Sequence, residues 1–525
     1  MTCMAGPSEE VVMSEFVPPA ISDLYKHMEG FGNRNPGRVK PTTDTYAGLF
    51  SELRAVEGWT RSISGWLDPA LLPKIVVPSQ TSPGIRWKRL GYRTKRAALM
   101  PAVVEASRLV RRMADTGEKY EVPPAGVAGR GKRLDSCRDT NAPDRKEGRL
   151  IVMPDLVRHL LGTMAAGPYM SMVKGLDKRD GGVLLGMGPL SDSYQRIADW
   201  CKGADSFIFL DFSKFDQRLP RDLLQQVMKH IRGRFDNVPG GRAYWESECE
   251  QLIDTQIAMP DGNVYRKSQG VASGDPWTSI VGSYANWIIL RRVCDVLGLR
   301  AKIWTFGDDS IIAVYGQKVG SGIIPRIAEV ALSEFNMQVS MEKSYASTTL
   351  VDIDDDPEPH VSGSFLSLYF LQTPMGVRPT RPLQDLHEMF LVPERNRKDL
   401  RWEIVRTSMA YLVFYYNEKA RYVIEEYWDW IHTRYKVPQL RGTAEDLTLL
   451  REMDIPWSAF KWEWLERLPR PGEVELLYKY GHTGFFPPSL WGAWYSKYDD
   501  DDLGNRVSLP MRTPQGSDHG GGPVN

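Results

Sequence analysis

The sequence is short of the features that settle a class by themselves. Only five cysteines occur in 525 residues (Cys3, Cys137, Cys201, Cys249 and Cys294), scattered and odd in number. No CxxC pair is present, and the histidines do not cluster near the cysteines. That argues against a structural zinc site and fits a reducing intracellular setting. There is no run of 18 apolar residues, so no membrane span is expected. The opening "MTCMAGPSEEVVM" has no basic stretch followed by an apolar one, so no secretory signal is expected. Internal repeats are absent. So is net charge: 66 Lys and Arg balance 66 Asp and Glu, and the total does not announce a polyanionic partner.

The distribution of charge is more telling. From Gly84 to Arg149 there are 17 Lys/Arg against 8 Asp/Glu. A basic region inside a neutral chain fits an internal track for a polyanion, although a solvated face has the same composition. Hydrophobic content of 42% and charged content of 25% fit a globular chain of more than one domain. Residues 1–75 carry no chemical signal. Residues 76–150 are basic loops punctuated by Gly and Pro, which a ligand would order, and 151–200 read as largely helical. After residue 372 the character changes. Eight of the sixteen tryptophans fall between 372 and 500, in long amphipathic patterns that read as a separate helical domain whose aromatics form its core. The tail begins "DDDD" at 499–502 and ends "GSDHGGGPVN", a composition that reads as mobile.

Carboxylates recur where strands end. "SFIFLDFSKFD" reads as a strand entering a turn at Asp211, and "RDLLQQVMKHIRGRF" follows at helical spacing. "SGDPWTSIVGSYANWIILRRV" reads as a helix with Asp275 at the N-cap and Pro276 as first helical residue. "IWTFGDDSIIAVYG" reads as a hairpin with Asp308 and Asp309 at its tip. Adjacent carboxylates make each other harder to ionise. If the two strands are neighbours, three carboxylates converge at one sheet edge. Hard oxygen donors in that number suit Mg²⁺. Two such ions about 4 Å apart can activate a hydroxyl and stabilise a leaving pyrophosphate. Gly-Asp-Asp alone is equally a plain turn.

In this order, "LDFSKFDQRLP", "SGDPWTSIVGSYANW" and "FGDDS" resemble motifs A, B and C of viral RNA-dependent RNA polymerases. "VPSQTSPGIRWKRLGYRTKR" resembles the template-guiding motif G, "GRLIVMPD" motif F, "FNMQVSMEKS" motif D and "SFLSLYF" motif E. The resemblance spans roughly residues 76–395 and is nearest to partitiviruses, with picobirnaviruses as relatives; "YRKSQGVASGDPWTSIVGSYANW" and "RPTRPLQDLHEMFLVPER" carry that finer match.

The resemblance implies an α+β right-hand fold, with an antiparallel palm sheet and mainly helical fingers and thumb. Residues 1–200 would be N-terminal region and fingers, 201–236 the first part of the palm, 237–270 a fingers insertion, 271–371 the second part of the palm, 372–500 the thumb and 501–525 a tail. Asp211 and Asp308 would be the main metal ligands, assisted by Asp309, for two Mg²⁺ with Mn²⁺ as a substitute. Lys343 would protonate the leaving pyrophosphate. Arg149 would bind the triphosphate. Asp216, Ser273, Thr278 and Asn286 would surround the nucleotide, Asp216 and Asn286 at the ribose, where a 2′-OH both donates and accepts. Many such polymerases place the asparagine four residues after the motif B threonine. Here Gly282 stands there, and Asn286, eight residues on, is turned by roughly 80° from Thr278. Thr81, Pro83 and Gly84 would shape the template entrance, Gly274 with Ser273 the loop that admits the template base, and Arg130, Lys132, Arg133 and Arg138 the channel.

The implied partners are RNA template and product, ribonucleoside triphosphates and a viral capsid protein, with no membrane, in the virion interior and host cytoplasm. Two alternatives stand beside this reading. A reverse transcriptase shares the palm, but carries a bulky residue where this chain has Asp216. A non-enzymatic RNA-binding or capsid-associated protein would need only the basic region and aromatics; Asp211, Asp308 and Asp309 would then repel its ligand.

Overall fold

The structure is a computed structural model. It describes residues 14–17, 20–32, 35, 37–78, 81–135, 148–188, 190–391, 399–436 and 462–480. Arg138 and the acidic tail lie outside the described residues, as do the side chains of Lys132 and Arg133.

Along the chain, β1 (Ser14–Val17), α1 (Ile21–Gly30), α2 (Thr43–Glu57), α3 (Ile85–Arg89) and α4 (Lys95–Thr116) lead to β2 (Gly126–Arg130), β3 (Lys132–Asp135) and β4 (Arg149–Met153). The stretch read as ligand-ordered loops therefore holds two helices and three strands. β1 pairs with β3, setting Val17 opposite Lys132 and Phe16 opposite Arg133. β2 and β4 form an antiparallel ribbon. Next come α5 (Leu156–Lys174), β5 (Gly182–Val183) and α6 (Ser193–Trp200). The expectation of a largely helical 151–200 holds only for its two ends. Gly181 and Gly182 take φ of 114° and 115° and break the run.

The central sheet then forms from β6 (Ser206–Phe209), β10 (Ala301–Phe306), β11 (Asp309–Val314) and β13 (Tyr345–Ser347), joined by β5. Strand order is β13-β6-β11-β10-β5. Neighbours pair antiparallel except β5, which runs parallel to β10, so the sheet is mixed at that edge and takes a strand from the N-terminal part of the chain. The expected all-antiparallel sheet is corrected to that extent.

Why "FIFL" and "IIAV" are continuously apolar is now plain, because the sheet is covered on both faces. Ile208, Ile312 and Val314 join the large core that includes α8 (Arg221–Arg232), α10 (Thr278–Leu297) and α11 (Ile323–Phe335). Phe207, Phe209, Ile311 and Ala313 face the other way, onto a second core with Tyr194 of α6, Phe365 and Phe370.

The remaining pieces are short. β7 (Phe212–Ser213) and α7 (Phe215–Arg218) follow β6; α9 (Gly241–Ile253) precedes the hairpin β8 (Gln256–Ala258) and β9 (Val264–Arg266). β12 (Gln338–Val339) pairs with β7. A four-stranded sheet holds β14 (Val351–Asp352), β15 (Ser364–Phe365), β16 (Leu368–Thr373) and β17 (Gly376–Thr380). Position 372 therefore lies inside β16, and the helical run starts later, at α12 (Leu383–Leu391). It continues through α13 (Leu400–Phe414), α14 (Glu418–Arg434) and α15 (Pro471–Tyr480). These helices share a core of their own, with Trp402, Trp428 and Trp464 buried in it.

Candidate active site

The hairpin of β10 and β11 pairs Phe306 with Asp309, leaving Gly307 and Asp308 as a two-residue tip. Gly307 takes a φ of 61°, the backbone such a tip demands at its first position. One face of α10 fixes the tip. Gly307 donates its N–H to Ser283 Oγ at 2.7 Å, and Asn286 Nδ2 donates to the carbonyls of Gly307 and Asp308 at 3.0 and 3.1 Å. Ser283 and Asn286 are three residues apart, hence on one side of the helix.

Beyond β6, Asp211 donates its N–H to Ser344 Oγ at 3.0 Å and accepts from the Ser340 N–H at 2.7 Å. The β6–β11 register pairs Ile208 with Ile312 and Ser206 with Val314. Extended to the strand ends, it sets Asp211 across from Asp309. Lys343 lies against Asp211, its Nζ 3.0 Å from Oδ2.

These carboxylates are at odds with one another. Desolvation, then the charge of Asp211, raises Asp308, offset by its own backbone N–H, Arg149 and Lys343. Asp309 is pushed up to about 7 by desolvation and by Asp308 and Asp211. Among the described residues, no three His, Cys, Asp or Glu stand close enough to hold one metal ion as placed. Yet the donors are hard carboxylate oxygens on facing strand ends, and the raised carboxyls of Asp308 and Asp309 mark a site short of positive charge. Lys343 supplies one part of that charge. A donor set of this kind fits Mg²⁺, provided the side chains turn inward around it.

A second group surrounds Asp216 on α7. Asp216 keeps an exposed surface although protein crowds its carboxyl. Desolvation and then Asp308 raise its carboxyl, and Arg149 lowers it. The effect of Arg149 on both Asp216 and Asp308 puts its charge within reach of both. Arg149 and Arg130 are exposed and directly opposite in the β2–β4 ribbon.

Ser273 and Gly274 lie along that ribbon. Ser273 Oγ donates to the Leu150 carbonyl at 3.2 Å. Gly274 has a φ of 96°, and a Cβ there would come 2.5 Å from the Val152 carbonyl oxygen, so the position excludes other residues. Thr278 Oγ1 donates to the Ala272 carbonyl at 2.6 Å and closes the loop.

Asp275 is not the helix cap expected of it. The helix starts at Thr278, and Asp275 accepts the Trp277 N–H at 3.0 Å while facing Arg158. Buried Arg158 donates to both Asp275 oxygens at 3.1 Å, to Glu248 at 2.6 Å and to Tyr120 at 3.0 Å. Nearby Lys267 is buried too. Desolvation lowers its ammonium to about 7. However, Nζ meets three carbonyls, those of Leu252, Ile253 and Gly270. Three acceptors match the three protons of the charged form, so we read Lys267 as an ammonium.

Thr81, Pro83 and Gly84 occupy a separate corner. The Pro83 carbonyl accepts the Leu156 N–H at 3.0 Å, and the Thr81 carbonyl accepts the Lys95 N–H at 2.9 Å. Beside them Asp155, the last residue of "GRLIVMPD", accepts from Arg86 at 3.0 and 3.2 Å, from Trp87 Nε1 at 3.1 Å and from the Val157 N–H at 2.9 Å.

The structure thus brings Asp211, Asp308 and Asp309 to the ends of neighbouring strands, with Lys343 on Asp211, and sets Ser273 and Gly274 against the strand that begins at Arg149. Asn286 is wholly buried beneath the tip. Sequence reasoning missed Ser283, Ser344, Asp155 and the Arg158 network. Asp155 before a helical run was legible as an N-cap; Arg158 and Glu248, ninety positions apart, had no local signal.

The family model described as viral RNA-dependent RNA polymerase matches residues 51–410. The RNA-directed RNA polymerase of White clover cryptic virus 1 is 26% identical over 172 residues, 28% of this chain and 28% of that protein. The RNA-directed RNA polymerase of Cryptosporidium parvum virus 1 is 25% identical over 155 residues, 27% of this chain and 28% of that protein. The chain thus spans little more than a quarter of these relatives' length. The crystal structure of the RNA-dependent RNA polymerase of a human picobirnavirus superposes with a TM-score of 0.57 at 13% identity, covering 87% of this chain and 81% of that one.

Proposed function

The chain belongs to the viral RNA-dependent RNA polymerases, and from that membership we propose that it copies an RNA template from ribonucleoside triphosphates. The observation that carries this reading is the meeting of Asp211 with the Gly307–Asp309 tip at one end of neighbouring strands, with raised carboxyls that call for cations. A protein that only bound RNA would gain nothing from it.

Asp211, Asp308 and Asp309 would hold two Mg²⁺, or Mn²⁺ in their place; when bound, such ions activate an attacking hydroxyl and stabilise a leaving pyrophosphate. Arg149 grips the triphosphate with a guanidinium suited to bidentate phosphate contact. Asp216 and Ser273 orient the ribose. Gly282, four residues after Thr278, is the α10 position that faces Phe215, next to Asp216. The further turn to Asn286 takes that side chain under the hairpin tip, so Asn286 acts by aiming Asp308. Lys343 neutralises Asp211 and would be the group that protonates the leaving pyrophosphate.

We assign residues 201–236 and 271–382 to the palm, with β5 added from the N-terminal part, the rest of 1–200 and 237–270 to the fingers, and the helical run from Leu383 to the thumb. Thr81, Gly84, Arg130, Lys132, Arg133 and Gly274 line the RNA path in this assignment. A capsid partner, and work in the virion interior and host cytoplasm, belong to the same proposal. No helix among the described residues is long and apolar enough to cross a membrane.

The test is incorporation of labelled ribonucleotides on a plain RNA template with Mg²⁺. Template-dependent product, with a strong preference over 2′-deoxynucleotides, supports the reading. A comparable rate with deoxynucleotides favours the reverse-transcriptase alternative. No product from folded protein, with or without a capsid protein, overturns the enzyme.

A further inference from the structure

We propose that the N-terminal helix α1 is the positioning element of the nucleotide pocket, and that His27 couples its two walls. The inference rests on the polymerase reading above.

His27 is buried, and both ring nitrogens are engaged. Nε2 donates to the Gly148 carbonyl at 2.5 Å, which leaves Nδ1 to accept from the Gln217 side-chain amide. One turn earlier, Asp23 Oδ2 accepts the Gly148 N–H at 3.2 Å. Both backbone polar groups of Gly148 are therefore held by α1, one residue before Arg149. Gln217 is one residue after Asp216. A single imidazole links the strand that presents the triphosphate-binding arginine to the turn that presents the ribose-binding carboxylate.

The end of the helix reaches a third element. The Gly30 carbonyl accepts from Gln269 Nε2 at 3.3 Å, and the Phe31 carbonyl accepts the Ser268 N–H at 3.3 Å. Gln269 Nε2 also reaches the Gln217 carbonyl at 3.2 Å. Ser268 and Gln269 lead into the loop of Ser273 and Gly274. Apolar contacts follow the same route: Leu24, Met28 and Phe31 share a small core with Leu150, Val152 and Ala272, separate from the main one.

Packing an N-terminal helix needs only apolar contact. Here buried polar contacts fall on the neighbours of Arg149 and Asp216 and on the run into Ser273. A buried hydrogen-bond network fixes relative position, which apolar packing does less sharply.

Two variants separate positioning from folding. His27→Ala removes the bridge. Gly30→Ala leaves His27 in place, but its Cβ would lie 2.1 Å from Gln217 Oε1, displacing that amide. Alanine also favours the helix, so α1 itself is not weakened. In single-nucleotide incorporation by the full chain, we expect His27→Ala to raise KM for the ribonucleoside triphosphate about tenfold and to lower the preference over the 2′-deoxy form. Gly30→Ala is expected to lower that preference while KM changes by less than about threefold. A merely structural role would reduce kcat through the active fraction and leave KM and preference unchanged; that result overturns the proposal.

Amide hydrogen exchange gives a readout independent of activity. His27→Ala is expected to speed exchange in 148–153, 215–219 and 268–273 together, with α13 unaffected. Changes confined to α1 overturn the coupling. Inactivity of the wild type would sink the polymerase reading, while the exchange result still decides whether α1 ties these segments together.

Discussion

Replacing Asn286 by alanine separates two roles for the same side chain. In the structure its amide nitrogen holds the carbonyls of Gly307 and Asp308 at 3.0 and 3.1 Å, and the residue has no exposed surface. Two neutral hydrogen bonds contribute about 1–3 kcal/mol together, at 0.5–1.5 each. Its Oδ1 has no hydrogen-bond partner among the described residues, and losing that atom offsets part of the cost. The expected stability loss is therefore modest, roughly 1–2 kcal/mol by denaturant titration. The effect on rate is larger, because the tip carries Asp308. A misplacement of about 1 Å in a reacting group costs on the order of a hundredfold. Asn286→Ala should thus lower kcat for ribo- and deoxyribonucleotides alike and leave their ratio unchanged. Ser283→Ala, which removes the acceptor for the Gly307 N–H, should act in the same direction and add less than independently, since both hold one turn. A collapse of the ribo/deoxy ratio with kcat retained would refute this reasoning and return Asn286 to the ribose.

Two further outcomes follow from the electrostatics. In chelator, the Asp309 carboxyl of the folded chain sits at about 7, above its value of about 4 in an unfolded chain. Its contribution to stability is therefore complete below about pH 4 and is lost as pH rises through about 7. Denaturation midpoints without divalent cation should fall across that window, and Mg²⁺ should restore stability above pH 7; a midpoint that rises with pH in chelator, with no Mg²⁺ effect, would contradict it. Arg158→Met strands Asp275 and Glu248 as buried carboxylates, at a cost of about 3–5 kcal/mol, measurable as a lowered unfolding midpoint that Glu248→Gln in the same chain partly restores.

Much of this was legible in the sequence, for reasons the fold now explains. The hairpin, the strand before Asp211 and the long helix from Thr278 are strongly patterned, because a sheet buried on both faces demands unbroken apolar strands and a helix buried most of the way round. The pairing of Asp211 with Asp309 follows once those strands are neighbours. What escaped was non-local. Asp275 has the local chemistry of a helix cap, but Arg158, more than a hundred residues earlier, claims it. The sheet takes β5 from a region that reads as fingers, since a two-residue strand leaves no periodicity. Residues 1–75 were silent because the positions that matter in α1, Asp23, His27 and Gly30, act through contacts with Gly148 and Gln217 far along the chain.

The central claim is that the carboxylates at the hairpin tip carry catalysis, and the most direct measurement compares wild type with Asp308→Asn. Asparagine keeps the size and removes the anionic donor. Template-dependent incorporation with Mg²⁺ by the wild type, abolished in the variant while RNA affinity and unfolding midpoint are retained, is the predicted result. Equal incorporation by the two proteins would contradict it.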